Sequence, residues 1–358
     1  MAVTMRQLLE EMVQRNSTDL HLTTGAPPMY RIDSELVPTN YEILTPELIQ
    51  NLIFSVLNDQ QKKKFEMEWE LDFSFGIAGL SRFRGNCFRQ RGSVAAAIRT
   101  IPFEIRGFKE LGIPLVVQEL ANRPKGLILC TGPTGSGKST TLAAVVDKVN
   151  SERRCHIITA EDPIEYLFRH QKAIINQRQV GSDTKSFANA LKYVLREDPD
   201  VVMVGEMRDA ETIATTLTIA ETGHLTLATL HTNSAAESIH RIIDVFPPYQ
   251  QGQVRAQLAF VVEGVITQQL IPKIGSGRVL STEVMIATPA IRALIRDAKE
   301  HQIYSTIQAG SKYGMQTMNQ SLYDLYSKRL ITLETAFNYT SNIEEFERMI
   351  EQKTPTMR

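Results

Sequence analysis

A glycine-rich run between two apolar stretches constrains the fold of this chain more than any other feature. Residues 132–140 fit the pattern G-x-x-x-x-G-K-[ST] of a phosphate-binding P-loop. The apolar run 126–131 precedes the loop, and the helix-like run 141–146 follows it. A strand, a glycine-rich turn and a helix in this order form a phosphate cradle, because glycine lets backbone N–H groups close around an anion at the helix N-terminus. A chance match in a glycine-rich turn is therefore the weaker interpretation.

The loop predicts a nucleoside triphosphate ligand, with ATP and Mg²⁺ as the expected cofactors. Lys138 should reach the β- and γ-phosphates, and the Ser139 hydroxyl should ligate Mg²⁺. The predicted nucleotide-binding set is Gly132, Pro133, Thr134, Gly135, Ser136, Gly137, Lys138, Ser139 and Thr140.

Composition limits the broad class of protein. The chain has 358 residues, of which 42 % are hydrophobic and 22 % charged, as expected for a soluble protein of two domains. A net charge of -1 gives no reason to expect a nucleic-acid binder. The three cysteines form no C-x-x-C pair, which argues against a zinc ribbon and suits a reducing cytosol. We find no signal peptide and no apolar run of the ~20 residues that span a bilayer, so any membrane role should come through a partner.

Two domains and a connector are predicted along the chain. Residues 1–103 read as a small α/β module, with helical patterns at Met5–Gln14 and at about 46–65. Residues 104–114 read as the connector, because glycine and proline recur there. From 115 to 358, apolar strands alternate with helices, which predicts a mostly parallel sheet. The predicted strands of this domain are 126–131, 156–159, 201–205 and 226–229, and the chain beyond Pro289 is predicted to be mainly helical.

Glu206 is the first candidate for the chemistry. The apolar strand that begins at Val201 delivers Gly205 and Glu206 at its carboxyl end, where ligands bind in open α/β sheets. Glu206 is therefore predicted to be the Walker-B acid, which holds Mg²⁺ through water. A solvated charge at the end of the strand is the alternative.

Glu165 is the candidate for the catalytic carboxylate. It closes the run Glu-Asp-Pro-Ile-Glu, in which Pro163 fixes a turn that could aim the side chain at the nucleotide. Hydrolysis needs a group that orients or deprotonates the attacking water. On the residues alone, an acid that merely complements a helix dipole is at least an equal alternative.

His231 follows the predicted strand 226–229 on the ligand side of the sheet. It could sense the γ-phosphate or polarise the attacking water, and a core or capping histidine is the alternative.

Five arginines fall in the strand-rich part of the first domain. A charged sheet face is the simplest interpretation of any one of them. An arginine supplied across a subunit interface, however, accelerates phosphoryl transfer by ~10³–10⁵. The cluster consists of Arg82, Arg84, Arg89, Arg91 and Arg99, and in a ring Arg82, Arg84 and Arg99 are our candidates for this role.

Four motifs occur in one order and spacing: the P-loop, then 161–165, 204–209 and 229–233. Together they resemble the Walker A, Asp box, Walker B and His box of the secretion-superfamily ATPases, and among these the retraction ATPases of type IV pili. The chain start at 17–28 and the run Ala290–Ile295 extend the resemblance to nearly the whole chain. The last positions of Ala290–Ile295 depart from the family's Ala-Ile-Arg-Ala-Gly-Leu form.

The resemblance implies a RecA-like P-loop ATPase domain with a smaller N-terminal PAS-like α/β domain. It also implies a cytoplasmic homohexamer, peripheral to the inner membrane, whose ATP sites lie between the domains and are completed by the neighbouring subunit. By the same resemblance Glu165 is the catalytic carboxylate, Glu206 the Walker-B acid and His231 the His-box residue, while the N-terminal arginines are sensors or fingers. The motor would act on the inner-membrane platform protein of the pilus, a PilC-like protein, and drive pilin disassembly. No nucleic acid and no direct membrane span are expected.

Related motors and other P-loop proteins are the alternatives. PilB-type extension ATPases carry an extra N-terminal domain and usually a four-cysteine zinc insertion, so the early start of the first module and the lack of cysteine pairs favour retraction. PilU-like accessory paralogues have a similar architecture and stay open. A non-motor ATP-binding switch is a further alternative, and so is a small-molecule kinase, against which the separate N-terminal module argues.

Overall fold

A computed structural model describes residues 3–32, 35–101 and 104–353. By its internal contacts the chain divides into two compact units. The first, which we call the N-terminal unit, is Met1–Glu104 with Glu165–Leu167. The second, which we call the P-loop unit, is Ile105–Ile164 with Phe168–Arg358.

The N-terminal unit is an α/β module. Its elements are α1 Met5–Gln14, β1 Asp19–Leu22, β2 Met29–Ile32, β3 Glu35–Pro38, α2 Pro46–Phe54, α3 Asp59–Glu68, β4 Glu70–Ile77, β5 Ser81–Gln90 and β6 Ser93–Ile101.

The helical patterns predicted in this unit are both confirmed. The helix at Met5–Gln14 occurs as predicted, and the stretch at about 46–65 holds two helices, α2 and α3. Asn58 starts the second of them with a capping box, in which it accepts from Gln61 N–H and the Gln61 side chain accepts from Asn58 N–H. These local hydrogen bonds start a new helix within a stretch whose apolar residues keep helical spacing.

The six strands pair antiparallel in the order β3-β2-β1-β6-β5-β4. Successive side chains of a strand point to opposite faces. On β5 this alternation buries Phe83 and Cys87 in the core that α1 and α2 share, and it places Arg82 and Arg84 on the other face. Gly85 lies between these core positions, and a Cβ at Gly85 would lie 2.4 Å from the Phe73 ring.

Gly85→Ala is therefore expected to destabilise the N-terminal unit by about 1–3 kcal/mol, since an overpacked core displaces its side chains. Trp69 is the only tryptophan of the chain, so its fluorescence during a urea titration would report on this unit. Gly76→Ala is the matched control, because a Cβ at Gly76 meets no atom within 4 Å. Equal unfolding midpoints for the two variants would contradict the prediction.

The P-loop unit alternates strands and helices and then becomes helical. Its elements are α4 Phe108–Leu111, α5 Leu115–Leu120, β7 Gly126–Thr131, α6 Lys138–Glu152, β8 His156–Glu161, β9 Ile174–Gln179, α7 Phe187–Val194, β10 Val201–Val204, α8 Ala210–Glu221, β11 Leu225–Leu230, α9 Ala235–Asp244, α10 Pro248–Val261, β12 Val262–Pro272, β13 Arg278–Ile286, α11 Pro289–Arg296, α12 Ile303–Gln308, α13 Met318–Ser327, α14 Leu333–Tyr339 and α15 Ile343–Lys353.

The sheet of this unit has the order β13-β12-β7-β11-β10-β8-β9, and every neighbouring pair is parallel except β12 with β13. The mostly parallel sheet and its four predicted strands are confirmed, although the strand predicted to reach Gly205 ends at Val204. Parallel strands end at a common edge. The P-loop, Glu206 and His231 therefore all leave the sheet at the same edge, which is where open α/β sheets bind ligands.

Helices cover both faces of this sheet. Leu127 and Leu129 of β7 belong to one core, and Ile128 and Cys130 to the other, as the alternation of a strand requires. The predicted helical character beyond Pro289 is confirmed, and α13, α14 and α15 share a smaller core around Phe346. Within residues 3–32, 35–101 and 104–353, no helix combines the length and apolarity that crossing a bilayer requires.

The cysteines lie apart from one another. Cys87 is buried in the core of the N-terminal unit and Cys130 in a core of the P-loop unit, and burial raises the pKa of each thiol to about 12. Cys155 is partly exposed just before β8.

Candidate active site

The P-loop connects the end of β7 to the start of α6. Gly132, Gly135 and Gly137 have positive φ values of 138°, 78° and 92°, which side chains rarely adopt. A Cβ at Gly132 would also lie 2.3 Å from the carbonyl oxygen of Gln268. Glycine at this position therefore keeps the loop close to β12.

The start of α6 fits an anionic ligand. Its N-cap residue is Gly137, which has no side chain to accept from the first N–H groups, and its first turn holds no acidic residue. Ser136 is 3 % exposed, and among the described residues its Oγ has no hydrogen-bond partner. The N–H groups at a helix start, the helix dipole and a buried hydroxyl all favour phosphate oxygens, so the residues present fit the phosphates of a nucleotide.

Lys138 folds back over its own loop. Its ammonium group donates to the carbonyl oxygens of Gly132 at 2.8 Å and Pro133 at 2.9 Å, and the residue is 8 % exposed. Ser139 follows it, half-buried in the first turn of α6. This places one fixed positive charge and one hydroxyl beside the loop, and their predicted roles toward phosphate and Mg²⁺ stay predictions.

A buried polar cluster supports the loop from β12. Gln268 is fully buried; its Nε2 donates to Thr141 Oγ1 at 2.7 Å, and its Oε1 accepts from Cys130 Sγ at 2.8 Å. These bonds tie the strand that enters the P-loop to the helix that leaves it. Sequence reasoning missed Gln268, although a polar pair, Gln268-Gln269, within an otherwise apolar run was a signal.

Glu206 lies between two basic side chains. Its Oε2 is 2.7 Å from Arg208 Nη2, and its Oε1 is 3.4 Å from His231 Nε2. Burial alone would raise the pKa of Glu206, but the Arg208 bond and charge, with His231 and Lys138, outweigh burial and lower that pKa. Glu206 is therefore an ionised carboxylate at neutral pH, and Lys138 of the P-loop is close enough to it to lower its pKa. Its role as the Walker-B acid stays a prediction.

Hydrogen bonds and close backbone packing join the ends of β8, β10 and β11 behind these groups. Thr229 Oγ1 donates to the Gly205 carbonyl oxygen at 2.5 Å, and Met207 N–H donates to the Thr229 carbonyl oxygen at 3.1 Å. A Cβ at Gly205 would lie 3.1 Å from the Ala160 carbonyl oxygen, so glycine lets β10 and β8 approach. The buried side chain of Glu161 accepts from Thr159 Oγ1 at 2.6 Å. These contacts fix where Glu206 and His231 leave the sheet.

Glu165 belongs to a different unit from the P-loop. The division of the chain assigns Glu165–Leu167 to the N-terminal unit. Its role as the catalytic carboxylate therefore stays a prediction.

The three candidate arginines share one face of the N-terminal sheet. Register places Arg84 directly opposite Arg99 on the neighbouring strand. Arg99 pairs with Asp19 at 2.8 Å, and Arg82 Nη2 donates to Ser74 Oγ at 3.1 Å. Like charges directly opposite each other repel. Arg84 and Arg99 are thus neighbours on this face, with Asp19 balancing the charge of Arg99, and the catalytic role of the three arginines stays a prediction.

The other two arginines of that cluster, Arg89 and Arg91, lie at and just beyond the end of β5. The Arg89 guanidinium lies 5.5 Å from the centre of the Trp69 ring, a cation–π contact. Arg91 lies in the turn between β5 and β6 with a φ of 49°.

The run Ala290–Ile295 has an internal role. Arg292 Nη1 donates to the carbonyl oxygens of Ala259 at 2.8 Å and Phe260 at 2.7 Å, at the end of α10. Its Nη2 pairs with Glu263 at 2.7 Å. The last carbonyl groups of a helix have no partner within that helix, so Arg292 satisfies them and ties α11 to α10.

Comparisons with known proteins identify the family of this chain. The family described as "Type II/IV secretion system protein" matches residues 3–276. The type IV pilus retraction ATPase PilT of Pseudomonas aeruginosa is 48 % identical over 330 residues, 92 % of this chain and 96 % of that protein. The type IV pilus ATPase PilU of the same organism is 39 % identical over 345 residues, 96 % of this chain and 90 % of that protein. A crystal structure of the pilus retraction motor PilT with bound ADP is 53 % identical, with a TM-score of 0.91 over 97 % of this chain and 100 % of that chain.

Proposed function

Because the chain belongs to the Type II/IV secretion system protein family, we propose that it is an ATPase motor that powers type IV pilus retraction and twitching motility. The observation that carries the proposal is the P-loop Lys138 and the ionised Glu206 at one edge of a parallel sheet. The similarity to a retraction motor crystallised with ADP supports the nucleotide and the direction of work.

The residues of the proposed site take separate roles in ATP hydrolysis. The P-loop binds the phosphates of ATP. When ATP binds, the ammonium group of Lys138 donates to β- and γ-phosphate oxygens in place of the two loop carbonyl oxygens. Ser139, through its hydroxyl, and Glu206, through its carboxylate, would hold Mg²⁺, which would supply positive charge that neutralises these phosphates. Glu165 orients and deprotonates the attacking water, and His231, beside Glu206, senses the γ-phosphate.

The assembly we propose is a homohexamer of two-domain subunits. In it, residues 1–103 form a PAS-like domain, 104–114 the linker and 115–358 a RecA-like ATPase domain with a helical C-terminal region. The short helix α4 lies within that linker and ends at Gly112, whose φ is 68°. Arg82, Arg84 or Arg99 stabilises the charge that develops on the phosphates, from the same or a neighbouring subunit. The hexamer acts in the cytoplasm on a PilC-like inner-membrane platform protein, and sizing the purified protein tests the ring.

A deletion strain tests the direction of the motor. We expect cells that lack this protein to keep their surface pili, or to have more of them, and to lose retraction and surface movement. Imaging labelled pili in the deletion strain, and in the same strain with the gene restored, measures both outcomes. Loss of pili would instead indicate a PilB-like extension motor. Retraction that persists but weakens would indicate a PilU-like accessory role.

A further inference from the structure

A buried glutamate outside the nucleotide site lies between the starts of two helices. Glu283 lies on β13 and is 3 % exposed. Its Oε1 accepts from Ala235 N–H at 2.7 Å, and the Met318 backbone lies close enough to the carboxyl group to lower its pKa. Ala235 is the first residue of α9, and Met318 is the first residue of α13. The first N–H groups of a helix have no partner within it, so Glu283 satisfies one at the start of α9 and faces another at the start of α13.

The starts of the two helices offset part of the burial of this acid. Burial is the largest effect and raises the pKa of Glu283, the charge of Glu345 raises that pKa further, and the backbone groups of Ala235 and Met318 lower it without outweighing burial. Each helix N-terminus carries roughly half a positive charge, which favours a carboxyl group placed between them. The position therefore requires an acceptor and not simply a side chain of this volume.

On one side, α9 leads to the nucleotide site. It begins four residues after His231. Ser238, in its first turns, has its Oγ 2.7 Å from Thr232 Oγ1 and 3.5 Å from Thr131 Oγ1. Thr131 is the last residue before the P-loop. The start of α9 is thus connected to both the P-loop and the loop that carries His231.

The sheet makes the same connection. Thr131 pairs in register with Thr267 on β12, and Thr267 pairs with Glu283 on β13. The hydroxyl oxygens of Thr131 and Thr267 are 2.8 Å apart. Glu283 therefore lies in the same row of residues as the end of the strand that enters the P-loop.

On the other side, α13 leads to the C-terminal helices. Leu322 of α13 packs with Phe346 of α15 in their separate core. Next to Glu283, Thr282 N–H donates to Ser321 Oγ of α13 at 3.1 Å. A displacement of this part of β13 is consequently passed to α13.

We propose that Glu283 is a positioning residue that couples the nucleotide site to the C-terminal helices. It holds the start of α9, and with it the His231 loop, to the start of α13. A change that nucleotide binding produces at the P-loop then reaches α13 through α9 and Glu283. The inference rests on the proposed function only in requiring that a nucleotide binds at the P-loop.

Glu283→Gln tests the coupling with little change in volume. The amide has one acceptor oxygen where the carboxylate has two, and its NH₂ group cannot accept from a helix N–H, so it weakens the hold of this side chain on the two helix starts. It also removes the need to bury a charge, so the variant should fold. Glu345→Gln is the comparison variant, because it removes a buried carboxylate beside α13 and leaves the bond from Ala235 to Glu283 in place. Glu345 is 7 % exposed, its side-chain partners Asn319 and Gln308 lie on α13 and α12, and its charge raises the pKa of Glu283.

Hydrogen–deuterium exchange of the full-length protein, with and without ADP and Mg²⁺, measures the coupling. In the wild type and Glu345→Gln, we expect ADP to slow exchange at the P-loop, at the start of α9 and at the start of α13. In Glu283→Gln, protection of the P-loop should persist while the response of α13 falls by about threefold to tenfold. Ser238→Ala, which removes the hydroxyl between α9 and Thr131, should lower the α13 response in the same direction.

Two results would overturn the coupling. An α13 response that is unchanged in both Glu283→Gln and Ser238→Ala would exclude this route. An α13 that does not respond to ADP in the wild type, while the P-loop does, would exclude the coupling and leave the proposed function intact. Absence of any ADP protection at the P-loop would overturn both.

Discussion

Lys138→Ala is expected to lower the ATPase rate by about 10²–10³-fold or more, and to weaken nucleotide binding. Lys138 supplies a buried positive charge that two loop carbonyls hold beside the phosphate cradle. Alanine removes that charge from the place where negative charge accumulates in phosphoryl transfer. Phosphate release and the titration of a fluorescent ADP analogue measure the two effects.

Lys125→Ala is the control for this variant. Lys125 is exposed immediately before β7, at the opposite end of that strand from the P-loop. The same change of residue there should leave rate and affinity within about twofold, as is usual for exposed positions. Wild-type activity in Lys138→Ala would show that nucleotide binds elsewhere.

Glu206→Gln is expected to reduce kcat by about 10²-fold or more while nucleotide still binds. The amide keeps the shape of the side chain but removes the negative charge that Arg208, His231 and Lys138 all face. The carbonyl oxygens of Gly132 and Pro133 that hold Lys138 are unchanged by this substitution, so affinity for ADP should change less than kcat. Glu165→Gln should give the same division between kcat and binding, if Glu165 acts on the attacking water.

Glu211→Gln controls for the loss of a carboxylate in the same segment. Glu211 is exposed in the first turn of α8, a few residues beyond Glu206, and should retain nearly full activity. Full activity in Glu206→Gln would refute its assignment as the Walker-B acid. Full activity in Glu165→Gln, together with reduced activity in Glu206→Gln, would refute only the role assigned to Glu165.

The parts of the site that could be predicted are those the sequence encodes locally. The P-loop is one continuous run, and its position between a strand and a helix is visible in neighbouring residues. Glu206 and His231 each follow a short apolar strand, so the edge of the sheet to which they belong could be inferred. All of them leave the sheet where the sequence places them.

The parts that could not be predicted depend on partners far apart in the chain. Gln268 supports a loop more than 100 residues before it, and no local pattern pairs β12 with β7. The contacts of Glu283 could not be predicted either, because a polar residue in a strand does not indicate which helices it contacts. The boundary between α2 and α3 depends on a local signal, the capping box at Asn58, which the helical spacing at about 46–65 does not reveal.

The distribution of thiols has a practical consequence. Cys87 lies in the core of one unit and Cys130 in a core of the other, each with a pKa near 12, so neither is reactive until its own surroundings open. A thiol-modifying reagent therefore distinguishes transient opening of the two units without any engineered label. Cys155 is partly exposed at the opposite end of β8 from the nucleotide edge, so it would react first. Its rate of modification would serve as an internal reference for the activity of the reagent.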